Sequence, residues 1–334
     1  MVTLFDPLTI KGLHLPNRLV MPPMGTDVAT PNGGVTERHL AYYAPRARGI
    51  GLVIVEHSYV DKGGRYTATQ IGIHDDGRLP GLTQLVDAIH GSGAPAAIQI
   101  NHSGGKCIAS VCGQQPVGPS SLTYWKEPTR GLSTAEIKDL VHKFGAAAAR
   151  AVAAGFDAVE IHAAHGWLLN EFASPLTNKR TDGYGGGLEN RFRFSFDVIR
   201  EVRSQVGEDY PVLFRLGADD FTPGGLTLAE SLQMAPLIVD AGIDAMDISS
   251  GLCGIYHPTD KTPGFFVPMA AAMKAVLPVP VIGVGGITTG EQANRFVSDG
   301  QVDLIAVGRA LMKDPDWGVN ALQALKGARA AGAP

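Results

Sequence analysis

Cysteine is scarce in this chain: Cys107, Cys112 and Cys253 are the only three in 334 residues. Three thiols cannot build a disulfide framework. Cys107 and Cys112 stand five positions apart and lack a second cysteine pair to complete a metal site. They read as ordinary thiols of a reducing compartment. Positive charge is not in excess either. Lys+Arg is 28 against Asp+Glu 32, a formal net charge of −4, which argues against nucleic acid or an anionic membrane as partner. No uncharged apolar run reaches the roughly 18 residues of a membrane span. The N-terminal stretch MVTLFDPLTIKGLHLPNR lacks the basic-then-apolar order of a signal peptide. There is no Walker phosphate loop. Where a dinucleotide fold would place Gly-x-Gly-x-x-Gly after its first strand, Met24-Gly25-Thr26-Asp27 stands instead. These absences leave a soluble cytoplasmic protein acting on a small molecule.

Glycine is abundant, with 42 residues, and hydrophobic residues make up 45 %, ample for a large core. At roughly 150 residues per domain the length allows two domains, although α/β barrels run longer as one. Eight short β-branched apolar runs recur: Leu19–Met24, Gly51–Glu56, Pro95–Ile100, Asp157–His162, Pro211–Leu216, Asp244–Ser249, Val279–Val284 and Val302–Val307. Near-continuous apolar runs of this length suit strands buried on both faces, as in parallel sheets. Helical stretches lie between them at Ser133–Ala154, Leu188–Val206, Thr227–Ala241 and Arg309–Leu325. Ser133 with Glu136 three positions on fits a capping box. A weak echo links Ala154-Gly155-Phe156-Asp157-Ala158-Val159 to Ala241-Gly242-Ile243-Asp244-Ala245-Met246. In each, a glycine stops a helix just before a strand. The pattern predicts one (β/α)8 TIM barrel over residues 1–334, with a small excursion around 101–133 capping its mouth. A doubly wound open sheet is the rival.

In such a barrel chemistry sits at the C-terminal strand ends. Gly285-Gly286 and Gly308-Arg309 follow the last two strands, where backbone N–H groups and a cation would hold a phosphate; the plainer reading is tight turns. Arg215 points from a strand into the interior, either paired to a core carboxylate or facing an electron-rich ligand. His162 and His165 could ligate a metal, with Glu171 as a poor third ligand, or one could be a satisfied rim histidine. The favoured reading has both rings donating hydrogen bonds to one carbonyl oxygen. No metal is expected.

Together these residues resemble the old yellow enzyme family of FMN-dependent oxidoreductases. The resemblance runs from Leu4-Phe5-Asp6-Pro7 and Pro16-Asn17-Arg18 to Gly308-Arg309 and Asp314-Pro315. Its most specific stretch is His162-Ala163-Ala164-His165-Gly166-Trp167-Leu168-Leu169-Asn170-Glu171-Phe172, followed by Arg180-Thr181-Asp182 and Tyr184-Gly185-Gly186. The short bacterial ene-reductase branch is most similar. The resemblance implies bound FMN, reduction by NAD(P)H, and ping-pong hydride transfer to an activated alkene. It implies that Pro22, Pro23, Met24 and Gly25 underlie the flavin, that His57 flanks it, and that Gln99 and Arg215 face its pyrimidine edge. Gly285, Gly286, Gly308 and Arg309 would hold its phosphate, and His162 and His165 the substrate oxygen. It is compatible with a homo-oligomer.

Three positions depart from the family pattern. Trp167 replaces a tyrosine that protonates the substrate, Gly25 a cysteine and Asp27 a substrate-facing tyrosine. An indole N–H is not a useful proton donor. A flavin reaction without that tyrosine is therefore the alternative: quinone or nitro reduction, double-bond isomerisation or oxidative demethylation. A non-redox, phosphate-binding lyase barrel is a third reading, weakened because no strand ends in a lysine for Schiff-base chemistry. The related dienoyl-CoA reductases carry a cysteine-rich iron–sulfur segment, and the three scattered cysteines of this sequence form no such segment.

Overall fold

The computed structural model describes residues 2–330, the last three by backbone alone. All eight apolar runs form strands, and these close into one parallel barrel in chain order. We label them β1 (Leu19–Met21), β2 (Leu52–Tyr59), β3 (Ala96–Asn101), β4 (Ala158–Ala163), β5 (Val212–Gly217), β6 (Ala245–Ser249), β7 (Val281–Val284) and β8 (Leu304–Ala306). A helix follows each strand: α1 (Glu37–Ala47), α2 (Leu79–His90), α3 (Thr134–Ala154), α4 (Leu188–Val206), α5 (Leu228–Asp240), α6 (Val267–Lys274), α7 (Gly290–Ser298) and α8 (Trp317–Ala330). Closure of β5 on β6 rules out the open doubly wound sheet.

Strand and helix ends follow local chemistry. The expected first strand stops at Met21 rather than Met24, because Pro22 and Pro23 have no N–H for the ladder. Strand β2 runs past Glu56 to Tyr59, and its register with β3 shifts between Val55 and Ser58. Such a bulge re-aims the side chains it contains, here Glu56 and His57. The expected helix 309–325 is two helices, Arg309–Lys313 and α8, broken at Asp314-Pro315. The α3 capping box is formed: Ser133 Oγ accepts from Glu136 N at 3.3 Å and Glu136 accepts from Ser133 N at 2.8 Å. Gly155 ends α3 at φ +92°, a conformation that costs other residues strain.

The barrel interior is apolar at its lower end. Val20, Leu52, Ile54, Ala97, Leu213 and Ile282 pack there with Ile10 and Leu15. The last two come from an antiparallel hairpin, Leu8–Ile10 with Leu13–Leu15. Full burial of each large aliphatic side chain contributes roughly 1.5–3 kcal/mol. Above that layer the interior turns polar, and the site begins.

The 101–133 excursion is a set of short pieces: turns at Gly104–Lys106 and Ala109–Cys112, and a two-residue pairing of Val117–Gly118 with Arg130–Gly131. Buried Glu171 ties it to the barrel, accepting from Gly105 N at 2.9 Å and from Trp125 Nε1 at 2.6 Å. This structural role, not metal ligation, occupies Glu171. Among the described residues no group of His, Cys, Asp or Glu is placed to hold a metal ion. No described helix is long and apolar enough to cross a membrane.

Candidate active site

A cavity of about 450 Å³ opens at the C-terminal ends of the strands, within the ligand-sized range of roughly 300–1,000 Å³. Every site residue expected from the sequence lines it except Gln99. No aspartate or glutamate lines it among the described residues, while Lys106, Arg215 and Arg309 do. The cavity is thus cationic in an acidic protein.

One wall is the segment Pro22–Gly25. Glu56, re-aimed by the bulge, anchors it by accepting from Thr26 N at 2.8 Å and Thr26 Oγ1 at 2.6 Å. Burial pushes the Glu56 carboxyl up to about 7. Its neighbour His57 faces the cavity, where a Cβ added to Gly25 would lie 3.3 Å from Nε2. Gln70 Nε2 donates to His57 Nδ1 at 2.8 Å, and Gln70 Oε1 accepts from Tyr66 N at 2.6 Å. An amide nitrogen only donates, so Nδ1 is an acceptor and Nε2 carries the hydrogen. Burial lowers the His57 pKa to about 4, so the ring is neutral.

His162 ends β4, and His165 follows in a left-handed conformation, φ +58°. That conformation is sparsely populated for a residue with a side chain. His165 N donates to Ser250 O at 3.0 Å and Gly166 N to Asn170 Oδ1 at 2.7 Å, which together hold the turn. The two imidazoles converge as expected, but they also engage each other. His165 Nδ1 lies 3.4 Å from His162 Nε2, and His165 Nε2 lies 2.7 Å from Ser249 Oγ. Burial lowers both pKa values well below the ordinary range, helped for His162 by the neighbouring imidazole and for both by Arg215. Both rings are therefore neutral hydrogen-bonding groups. Trp167 packs beside them, its ring centre 6.1 Å from that of His162 and 5.5 Å from that of His57.

Beneath these rings lies a buried polar layer from adjacent strands. Parallel register sets His162 and Asp247 opposite Arg215, and Gln99 opposite Glu160. Arg215 Nε stands 3.2 Å from Asp247 Oδ2, yet without hydrogen-bond alignment. The two readings of Arg215 thus coincide: it has a core carboxylate and it faces the cavity. Gln99 Nε2 donates to Glu160 Oε2 at 2.6 Å. Burial raises both carboxyls, and Asp247 raises Glu160 further, while Arg215 pulls both back. Asp247 is the carboxyl placed against Arg215, and Glu160, pushed up to about 8, holds a proton at neutral pH. Gln99 Oε1, Glu160 Oε1 and Arg215 Nε have no hydrogen-bond partner among the described residues.

At the far end Gly285 and Gly286 adopt φ +136° and +62°. A Cβ on Gly285 would lie 2.9 Å from the Phe265 and Phe266 amide nitrogens, so only glycine fits. The Arg309 guanidinium rests 5.7 Å from the Phe265 ring centre and 5.3 Å from that of Tyr256. It has no ion-pair partner among the described residues. An unpaired cation beside bare backbone amides suits an anionic group.

Several lining residues escape a reading of strand ends. Lys106, after Gly104-Gly105, points over the mouth: Nζ donates to His165 O at 2.5 Å and lies 5.0 Å above the Trp167 ring. Burial lowers its pKa to about 8. Tyr66 comes from the long β2–α2 connection and Phe265 from the turn before α6. Glu160 and Asp247 carry a visible signal, a charge in the middle of an apolar strand.

The model of the NADH:flavin oxidoreductase / NADH oxidase family matches residues 3–327. The chain belongs to this family. Its structural likeness is to old yellow enzymes. Over 323 residues it is 40 % identical to an NADH oxidase of Thermoanaerobacter brockii, covering 94 % of this chain and 50 % of that one. It thus spans half the length of that relative. An NADPH dehydrogenase of Halalkalibacterium halodurans is 40 % identical over 317 residues, with 94 % and 92 % covered. The old yellow enzyme homologue of Zymomonas mobilis superposes with a TM-score of 0.83 at 28 % identity, covering 100 % of this chain and 94 % of that one. The residues present fit FMN. Arg215, whose Nε lacks an aligned hydrogen bond, and the unbonded Gln99 Oε1 suit a polar ring edge, and Arg309 with Gly285-Gly286 suits a phosphate.

Proposed function

We propose that this protein reduces activated alkenes, α,β-unsaturated carbonyl or nitro compounds, at the expense of NADH or NADPH. FMN, when bound, would supply the two-electron hydride chemistry that links the nicotinamide to the alkene. The observation that carries the reading is the convergence of two neutral imidazoles, His162 and His165, on a cavity without carboxylates. Their mutual contact is long at 3.4 Å, so a substrate oxygen between the rings competes with it for their N–H groups. Hydrogen bonds to that oxygen polarise the carbonyl and stabilise charge developing on it.

The chain's other residues bind and orient. Pro22–Gly25 would underlie the ring, with Glu56 fixing the segment through Thr26. Arg215 would stabilise negative charge at the pyrimidine side, and Gln99 would hydrogen-bond that edge once its amide is freed from Glu160. His57, with its hydrogen on Nε2, would donate beside the ring. Gly285, Gly286, Gly308 and Arg309 would hold the phosphate.

One observation favours a second reading: Trp167 puts an indole where the family has its proton donor. Reduction of a quinone or nitro group, isomerisation or oxidative demethylation needs no donor at that position. The test is anaerobic. Protein reduced with NADPH is mixed with 2-cyclohexenone or with benzoquinone while flavin absorbance is followed. Reoxidation by the enone with formation of cyclohexanone is expected; rapid reoxidation by quinone alone establishes the second reading. A colourless protein that takes up no FMN defeats both.

A further inference from the structure

We infer that Tyr66 is the proton donor of this enzyme, replacing a phenol that position 167 lacks. The inference rests on the alkene-reduction reading. Addition of hydride to the β-carbon moves the alkene electron pair onto the α-carbon and oxygen, leaving an enolate. Completion requires one proton at the α-carbon from an acidic group on the cavity wall, or from water.

The wall offers few acids. Arginine does not deprotonate, and the serine hydroxyl and neutral imidazole N–H are too weakly acidic. Trp167 is excluded for the same reason. Tyr66 and Lys106 remain. Lys106 Nζ is committed to the His165 carbonyl and rests over the Trp125 and Trp167 rings, 4.5 and 5.0 Å from their centres. Tyr66 is uncommitted: its hydroxyl has no partner among the described residues. Its ring stands edge-on to Trp167, centres 4.8 Å apart, so the phenol is next to the indole that displaced the family's phenol.

Tyr66 is also placed rather than merely nearby. Its N–H donates to Gln70 Oε1, whose Nε2 holds His57 Nδ1 and donates to His57 O at 2.9 Å. On the other side Arg65 is bound to the Pro31 carbonyl at 2.6 Å, and to that of Val111. Thr67 Oγ1 donates to Asp27 Oδ1 at 2.5 Å, so the residue at the second displaced phenol, Asp27, braces this segment. Tyr66 is 38 % exposed at the mouth, which lets water restore its proton. In the step, the Tyr66 Oη–H bond breaks, the α-carbon–hydrogen bond forms, the enolate becomes the ketone, and the tyrosinate takes a proton from water.

The experiment follows reduction of 2-methyl-2-cyclohexenone, measuring saturated ketone and the configuration of its α-carbon, in the FMN-loaded protein. Affinity for non-reducible cyclohexanone, from tryptophan fluorescence, is measured in parallel. Tyr66→Phe is expected to slow ketone formation by about 100-fold and to erode α-carbon selectivity, with cyclohexanone affinity held within about twofold. Adding Trp167→Tyr to Tyr66→Phe is expected to restore rate and selectivity, which a misfolded variant could not do. If wild type forms the ketone and Tyr66→Phe matches it in both readouts, Tyr66 is not the donor. Loss of both in Lys106→Met alone would move the role to Lys106. If wild type forms no ketone although NADPH reduces it, the alkene-reduction reading itself fails and takes the donor with it.

Discussion

Arg215 and Asp247 face each other across β5 and β6 with 3.2 Å between Nε and Oδ2, both buried and held together by charge rather than by an aligned hydrogen bond. The pair makes Arg215 available to the cavity without leaving a bare cation in the core. Asp247→Asn strips that compensation. Breaking a buried pair costs about 3–5 kcal/mol, and unfolding in urea measures it. Glu160, no longer pushed up by Asp247, then becomes the counterion. The loss is accordingly expected to be larger at low pH, where Glu160 is protonated, and to become pH-independent when Glu160→Gln is added.

Arg215→Met addresses the cofactor instead. It removes a charged donor expected to face the bound ring, an interaction of roughly 1.5–3 kcal/mol. FMN affinity of the apoprotein, read from quenching of flavin fluorescence, is expected to fall by roughly 10- to 150-fold. Affinity equal to wild type would remove Arg215 from the cofactor site.

Gly308→Val tests the phosphate end by shape. A Cβ there would stand 3.1 Å from Met24 Sδ and 3.3 Å from Pro22 Cγ, and valine adds two methyl groups beyond it. The variant is expected to fold, by circular dichroism, while purifying with little or no flavin. A normal flavin content would show that the phosphate lies elsewhere.

Glu56 ties stability to pH. Its folded pKa of about 7 lies above the ordinary 4.5, so the folded state binds the proton more tightly than the unfolded chain. The stabilisation is complete below pH 4.5 and is lost as pH rises to about 7, a fall of about 3 kcal/mol. Glu56→Gln keeps a neutral side chain at every pH. Its stability relative to wild type is expected to rise between pH 4.5 and 7, read from paired urea titrations. A constant difference would contradict a protonated Glu56.

The barrel was legible in the sequence because burial on both faces demands apolar runs, and helix stops before strands demand glycines such as Gly155. Most of the cavity lining was legible as well, since strand-end position in a barrel fixes which residues share a rim. His162, His165, Arg215, Gly285, Gly286 and Arg309 meet in one cavity as expected. What local pattern could not encode is what each group touches across the barrel. Gln99 bonds Glu160 below the cavity, and the bulge between Val55 and Ser58 aims Glu56 at Thr26. The two histidines bond each other as well as facing the cavity. Tyr66 and Lys106 come from connections whose paths are set by long-range bonds, Gln70 to His57 and Glu171 to Gly105, not by periodicity. Periodicity records which face of an element is buried. Only closure of the chain on itself decides which polar groups, far apart in sequence, must satisfy one another inside.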